Sequence, residues 1–387
     1  MSQCIIITYL DSLGSPGGGT VGCLQIAHHM QKLGVEVILI PISRGPIAVE
    51  KPPGCIIPAQ PSRLHYLLDG LSVAKAVRSV IAKRQVDAVL SWGHDAAFIP
   101  EILDSKNVVF GMIAAHSSYS IWMNRQTGLK PVKLLVDEWF RSRPLKRADI
   151  TFALSNFTRS ELIALFGLES ERVIVTYWGV DAMFAQVQRS FAGEVSHFIF
   201  YGSLAPLKGI FDLIKALARV TSLGQPNWIL KVAGWGDEER VKHAAREHGV
   251  GDQVILLGRL DHPTLTRELE WAQLAILPSH AESFGLAIAE AHASGLPVVS
   301  YEAGAVPEVV EKNVTGWLVP PHRVDRLAEA IIEAIQDPQK TFRMGLAGRE
   351  RVTRLFSWEQ TAVAMLQGIE QAKRRRACSQ VEVKKAL

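Results

Sequence analysis

The chain has 387 residues, 48% of them hydrophobic and 21% charged, which is long enough for two domains and excludes wholesale disorder. A net charge of +4 is too small to argue for nucleic acid, and it is unevenly spread. Residues 1–180 carry 18 basic and 14 acidic side chains, residues 181–372 carry 18 and 23, and residues 373–387 carry 6 and 1. Cys4, Cys23, Cys55 and Cys378 form no C-x-x-C pair, which argues against a disulfide framework or a zinc site. The N-terminus lacks the basic segment of a signal peptide, and no apolar run approaches the ~18–20 residues that span a bilayer. The expectation is a reduced, cytosolic protein that at most touches the inner face of a membrane.

Short apolar runs alternate with longer helical patterns. In the first half the strand candidates are Cys4–Leu10, Val35–Ile42, Asp87–Ser91, Val108–Ile113, Asp149–Leu154 and Arg172–Tyr177. Helical patterns fall at Thr20–Leu33, Leu71–Lys83, Val132–Arg143 and Asn156–Phe166. The strands are nearly all apolar rather than alternating, the mark of parallel strands covered on both faces. The pattern then restarts, with strands at His197–Gly202, Trp228–Ala233, Gln253–Leu257, Leu274–Leu277, Pro297–Ser300 and Trp317–Val319. Helices between and after them include Ile210–Leu223, Asp237–His248, Pro263–Ala272, Gly285–Ser294 and Val324–Ile335. This predicts an α/β chain of two Rossmann-like domains, doubly wound around parallel sheets, over residues 1–180 and 195–355. A final helix, 358–375, has no strand after it and is expected to pack back on the first domain. Ligands of such sheets bind at the carboxyl ends of the strands, so two facing sheets imply a central cleft.

Two motifs stand out. Gly17-Gly18-Gly19-Thr20-Val21-Gly22 literally contains G-x-G-x-x-G after a strand and at a helix start, a place where backbone amides approach a phosphate. Yet the strand-to-glycine connection is long, and the second strand ends without an acid to hold a ribose. Arg44 would instead face a 2′-phosphate. A dinucleotide loop, a plain loop with a helix start, and a sugar or acceptor loop all remain open. The second motif is Glu282-Ser-Phe-Gly-Leu-Ala-Ile-Ala-Glu290. It places carboxylates on both sides of the free amides of Phe284, Gly285 and Leu286 at a helix N-terminus, with Ser283 as the expected N-cap. Glu290 lies on an apolar helix and wants a hydroxyl or cation partner, such as Ser294 four residues on. A capping acid and a solvated acid are the plainer readings.

The same stretch, followed by E-A-H-A-S-G-L-P-V-V, G-A-V-P-E-V-V and N-V-T-G-W-L-V-P, resembles the retaining glycosyltransferases of family 4. The resemblance extends to the N-terminal half through PGGGTVGCLQIAHHMQKLGVEVILI, and to YGSLAPLKGIFDLIKAL and VAGWGDEER. It implies the GT-B fold and a nucleoside diphosphate sugar as substrate rather than cofactor. It further implies a saccharide or lipid-linked saccharide acceptor on the first domain. Carried over to this chain, it assigns Glu290 to the ribose hydroxyls, Glu282 to the sugar, and Lys208 to the diphosphate. Phe284, Gly285 and Leu286 would face sugar and phosphate through their amides, and Gly258, Arg259 and Leu260 would frame the base. His116, following a buried strand, would face the sugar, and Gly17, Gly18 and Gly19 would form the acceptor or phosphate loop. Two positions depart from the pattern: Ser203 stands where the family usually has arginine, and Trp178 stands in W-G-V-D where the family has asparagine.

No D-x-D triplet occurs, which fits a site that needs no metal. UDP-glucose is the expected donor. A dinucleotide-dependent oxidoreductase and a non-catalytic sugar-nucleotide binding protein are the rival readings. His94 and Asp95 point to the same end of the first sheet, as acceptor contacts or a helix cap. Basic clusters at Arg141, Arg143, Lys146 and Arg147, at Lys75, Arg78, Lys83 and Arg84, and at Lys373–Arg376 read either as solvated faces or as a patch for an anionic membrane.

Overall fold

The computed structural model describes residues 3–9, 17–42, 54–61, 69–93, 96–103, 107–114, 140 and 142–386, with side chains described to residue 378. The chain divides into two compact units, 1–179 with 358–387, and 180–357.

In the first unit the apolar runs form β1 (Cys4–Tyr9), β2 (Glu36–Pro41), β3 (Cys55–Ile56), β4 (Ala88–Ser91), β5 (Val109–Ala114), β6 (Ile150–Ala153) and β7 (Val173–Val175). They pair in parallel in the order β3-β2-β1-β4-β5-β6-β7. β1, β4, β5 and β6 are buried along almost their whole length, as strands covered on both faces must be. The crossovers include α1 (Gly18–Lys32), α2 (Asp69–Ile81), α3 (Ile99–Leu103) and α4 (Asn156–Phe166). Ser155 N-caps α4 by accepting a hydrogen bond from Thr158 N, and Gly167 ends it in the left-handed conformation.

The second unit repeats the plan. β8 (His197–Ser203), β9 (Ile229–Trp235), β10 (Val254–Gly258), β11 (Leu274–Ile276), β12 (Val298–Tyr301) and β13 (Gly316–Val319) pair in parallel in the order β10-β9-β8-β11-β12-β13. Around them lie α5 (Ala182–Ala185), α6 (Ile210–Ser222), α7 (Glu238–Glu247), α8 (His262–Trp271), α9 (Leu286–Ala293), α10 (Val306–Val309), α11 (Val324–Gln336) and α12 (Pro338–Leu355). α6 buries Ile210, Leu213, Ile214, Leu217 and Val220, one helical stripe, and packs against α11. In both units the strand order reverses beside the first strand, between β1 and β4 and between β8 and β11. These are the switch points where such sheets open a crevice at their carboxyl ends.

α13 (Trp358–Ala386) returns to the first unit, packing on α1, β5 and β6 through Trp358, Ala362, Met365, Ile369 and Ala372. It runs well past the expected end at residue 375. Gly368 lets it lie directly on the sheet, since a Cβ there would come within 3.0 Å of Ile150, Phe152 and Ile174. Among the described residues no helix is long and apolar enough to cross a membrane. Cys4 and Cys23 are buried, while Cys55 and Cys378 are exposed, all as free thiols.

Candidate functional site

The crevice of the second sheet gathers most of the predicted residues. β8 ends at Ser203, and a single 3₁₀ turn, Pro206–Lys208, leads into α6. The loop after β11 runs beside it, and His280 N donates to Leu207 O at 2.8 Å, tying the two loops together. A second tie fixes the far side of that loop, where Ala305 N donates to Glu282 O at 2.9 Å. Between these anchors Lys208 Nζ meets Glu282 Oε1 at 2.6 Å, with side chains 32% and 15% exposed. The ammonium keeps two further donors and the carboxylate further lone pairs, so the pair can accept a ligand without dissolving. Ser203 Oγ accepts from Ala205 N at 3.3 Å, which leaves its own proton free to donate.

α9 opens at Gly285, not at Ser283. Gly285 adopts φ +94°, a left-handed conformation that a side chain at this N-cap would resist, and the helix starts two residues later than the serine suggests. The first turn has no capping side chain and no acid, so its amides present an uncompensated positive dipole end. Phe284 is 2% exposed and packs edge-on against Phe356, so its side chain is withdrawn from a ligand.

Glu290 is 8% exposed, and no hydrogen bond reaches its carboxylate among the described residues. Burial, with a smaller contribution from the Asp181 charge, pushes its carboxyl up to about 8. Ser294 is not its partner: that residue joins Glu290 only through Ser294 N to Glu290 O at 3.0 Å, and its buried hydroxyl is unpaired. Helical spacing brings the two backbones together while the side chains diverge. Tyr201, in β8, was not legible as a site residue. Its hydroxyl donates to Ala287 O, and burial followed by the charge of Glu290 raises its pKa. Gly258 closes β10 at the same carboxyl edge, Arg259 is exposed beyond it, and Asp261 caps α8 by accepting from Thr264 N at 2.9 Å.

In the first unit Gly17, Gly18 and Gly19 do start α1, with Gly17 extended at the N-cap. The fingerprint spacing has another cause. A Cβ on Gly19 would meet Tyr9 Oη at 2.7 Å, and one on Gly22 would meet the Trp178 ring at 2.7 Å. These two glycines therefore answer to packing, and Gly17 has nothing within 4 Å. Trp178 is buried in a chain of rings, Tyr9–Trp92–Trp178–Trp358, with successive centroids 5.7, 5.8 and 5.8 Å apart. At the switch point, Thr8 and Ser91 hydroxyls meet at 2.6 Å. His116, His94, Asp95, Arg44 and Arg141, with most of the predicted helix Val132–Arg143, lie outside the described residues.

Part of the basic clusters is engaged in structure. Lys373 pairs with Asp87 at 2.9 Å, Arg376 bonds Asp149 Oδ2 and Val108 O, and Arg375 bonds Glu171 O and Asp149 O. Together they staple α13 to the amino ends of β4, β5 and β6. Arg143 and Arg147 share Glu101, and Arg84 pairs with Glu36. Among the described residues one group, Asp212, His280 and His322, has the composition to hold a metal ion.

Residues 16–184 match the family model described as Glycosyltransferase Family 4, and residues 185–351 match that of Glycosyl transferases group 1. The glycogen synthase of Mycobacterium tuberculosis is 33% identical over 244 residues, 62% of this chain and 57% of that protein. The chain thus spans under two thirds of the length of such curated relatives. Sucrose-phosphate synthase from Thermosynechococcus elongatus superposes with a TM-score of 0.81 at 22% identity, covering 95% of this chain and 98% of that one. Anabaena HepE, solved in complex with UDP and glucose, gives 0.77 at 20% identity, covering 96% and 100%. With two parallel Rossmann-like sheets matched along nearly the whole chain, and each half claimed by its own model, the chain belongs to the family 4 glycosyltransferases of GT-B fold.

Proposed function

We propose that the protein transfers a hexose from a nucleoside diphosphate sugar, with UDP-glucose as donor, to a hydroxyl of a saccharide, with retention at the anomeric carbon. The observation that carries this reading is the convergence at one switch point of a lysine–carboxylate pair, an uncapped helix N-terminus and a buried unpartnered glutamate. The relation to HepE, a protein solved with UDP and glucose, favours the uridine donor.

Each part has a task in that reaction. The diphosphate lies against the first-turn amides of α9 and Lys208, whose attraction grows as the leaving oxygen gains charge. Glu290 receives the ribose hydroxyls that its carboxylate lacks in the free protein. Glu282 holds sugar hydroxyls, and Ser203 donates to phosphate where an arginine would otherwise stand. Attack and departure occur on the same face. The acceptor oxygen bonds the anomeric carbon, the bond to the phosphate oxygen breaks, and that oxygen takes the acceptor proton. Lys208 and the helix end supply the positive charge there without a divalent ion.

A panel of UDP-, GDP- and ADP-sugars, assayed by NMR for hydrolysis without acceptor, tests the proposal. UDP-glucose is expected to be consumed fastest and to release α-glucose first. Binding without turnover for every donor points instead to a sugar-nucleotide binding protein. Stabilisation by NADPH and not by UDP points to an oxidoreductase.

A further inference from the structure

Near the Lys208–Glu282 pair in sequence, the first turn of α6 and two loops of the second unit bring together groups that the transfer reaction does not use. Asp212 lies in the first turn of α6, four residues after Lys208, and His280 lies two residues before Glu282. His322 follows β13. One donor atom from each lies within 4.8 Å of the others. His280 Nε2 and Asp212 Oδ2 are 3.4 Å apart, long for a hydrogen bond. That separation is close to the ~3.3 Å edge of a tetrahedron whose centre holds zinc at its usual ~2.0–2.1 Å bonds to nitrogen and oxygen.

The third group is exposed, and its ring stacks on His280 with centroids 4.3 Å apart and planes 15° apart. Near-parallel rings do not aim their in-plane lone pairs at one point, so coordination by both requires His322 to turn out of this stack. His322 is also one of two non-glycine residues at positive φ among those described, at +63°. The carboxylate is prepared for the part: Tyr301, fully buried, donates to Asp212 Oδ2 at 2.9 Å. A donor of that kind orients metal-bound carboxylates in known sites. His280 Nδ1 is buried without a hydrogen-bond partner, so neither ring nitrogen has a well-formed bond within the protein.

We infer that Asp212, His280 and His322 form a binding site for a zinc-class divalent transition ion, with three protein ligands and an open position toward solvent. Two imidazoles and one carboxylate suit zinc, cobalt or nickel better than magnesium or calcium, which prefer oxygen throughout. The ion is distinct from a diphosphate counter-ion, because its ligands are residues other than those of the donor site. By joining α6 to the loop after β11 it would brace the two segments that present Lys208 and Glu282.

The test is titration of the chelator-treated full chain with Co²⁺ alone, followed by displacement with Zn²⁺. One saturable equivalent is expected, with the intense visible bands of a low-coordinate nitrogen–oxygen site, and UDP is not needed for it. His322→Gly removes a ligand while relieving the left-handed backbone, so folding is preserved, and affinity should fall by roughly 100-fold or more. Tyr301→Phe should lose roughly 10-fold, as loss of an outer partner does. Equal affinity in wild type and His322→Gly, absence of saturable binding, or a thiolate charge-transfer band from exposed Cys55 or Cys378 would each overturn the assignment.

Discussion

Glu290 is held where an ionised carboxylate is disfavoured, and that has a stability signature separate from any catalytic one. Its folded pKa of about 8 lies above the ordinary carboxyl value of 4.5. Between those two pH values the unfolded chain has released the proton and the native chain has not, so stability falls as pH rises and the loss is complete above about 8. Glu290→Gln should therefore stabilise the unliganded protein at pH 8 by on the order of a few kcal/mol and leave it unchanged below pH 4, as read by denaturant melts. The same position should weaken UDP when truncated. Each hydrogen bond to the neutral carboxyl is worth ~0.5–1.5 kcal/mol, so Glu290→Ala should cut UDP affinity roughly 2- to 13-fold for each ribose bond lost, read by calorimetry. An unchanged affinity would remove the ribose assignment. Lys208 and Glu282 should part company in kinetics. Lys208→Ala should lower turnover by on the order of 100-fold, more than it weakens binding, because its contact strengthens as the diphosphate departs. Glu282→Gln should leave UDP affinity nearly intact and reduce turnover of the sugar nucleotide. A Glu282→Gln variant that loses UDP but turns over normally at saturation would reverse the two roles.

α9 and α1 show which parts of an element were legible in the sequence and which were not. The run from Gly285 to Ser294 reads as an apolar helix, and α9 forms over Leu286–Ala293 within it. The reading placed its cap on Ser283 because serine is the stronger capping residue, whereas Gly285 supplies a backbone conformation that serine resists. α12 was not legible. PQKTFRMGLAGRERVTRL carries two interior glycines that sequence rules count as breakers. Gly345 and Gly348 instead let it approach Gly295 O and the His292 ring. That is a tertiary demand no local pattern announces. His292 is itself buried and neutral. Its Nδ1 lies 3.0 Å from Leu296 O, and burial lowers its pKa to about 4. Below the ordinary imidazole value of 6.5 the unfolded chain takes a proton that the native ring refuses, so the second unit should lose stability as pH falls from 6.5 toward 4. NMR should show one imidazole titrating near 4 in the folded state. In α1 the glycine spacing was legible but its cause was not. Gly22→Ala drives a methyl into the Trp178 ring and should destabilise by ~1–3 kcal/mol, while Gly17→Ala, in open space, should not. Equal, small effects on thermal stability would restore a ligand-binding reason for Gly22.

At the scale of the whole chain, the two parallel-sheet domains were legible because two runs of apolar strands separated by helices leave few other arrangements. The length of α13 and the use of its arginines were not, because a basic run gives no sign of which carbonyls it will meet. α13 buries Trp358, Met365 and Ile369 on the first unit. At ~1.5–3 kcal/mol for each large side chain, their sum approaches the ~5–15 kcal/mol that stabilises an ordinary domain. A chain truncated after Ser357 should therefore lose the cooperative melting of the first unit, while residues 180–357 resist protease. Undiminished melting of both units would show that α13 is dispensable. The division of the chain also sets an order of birth. Trp178 and Trp358 touch ring to ring, yet the whole second unit is translated between them. At ~5–20 residues per second, the first sheet leaves the ribosome on the order of ten seconds or more before the helix that covers it. The second unit emerges during that wait, while the uncovered face of the first stays exposed to chaperones and to neighbouring nascent chains.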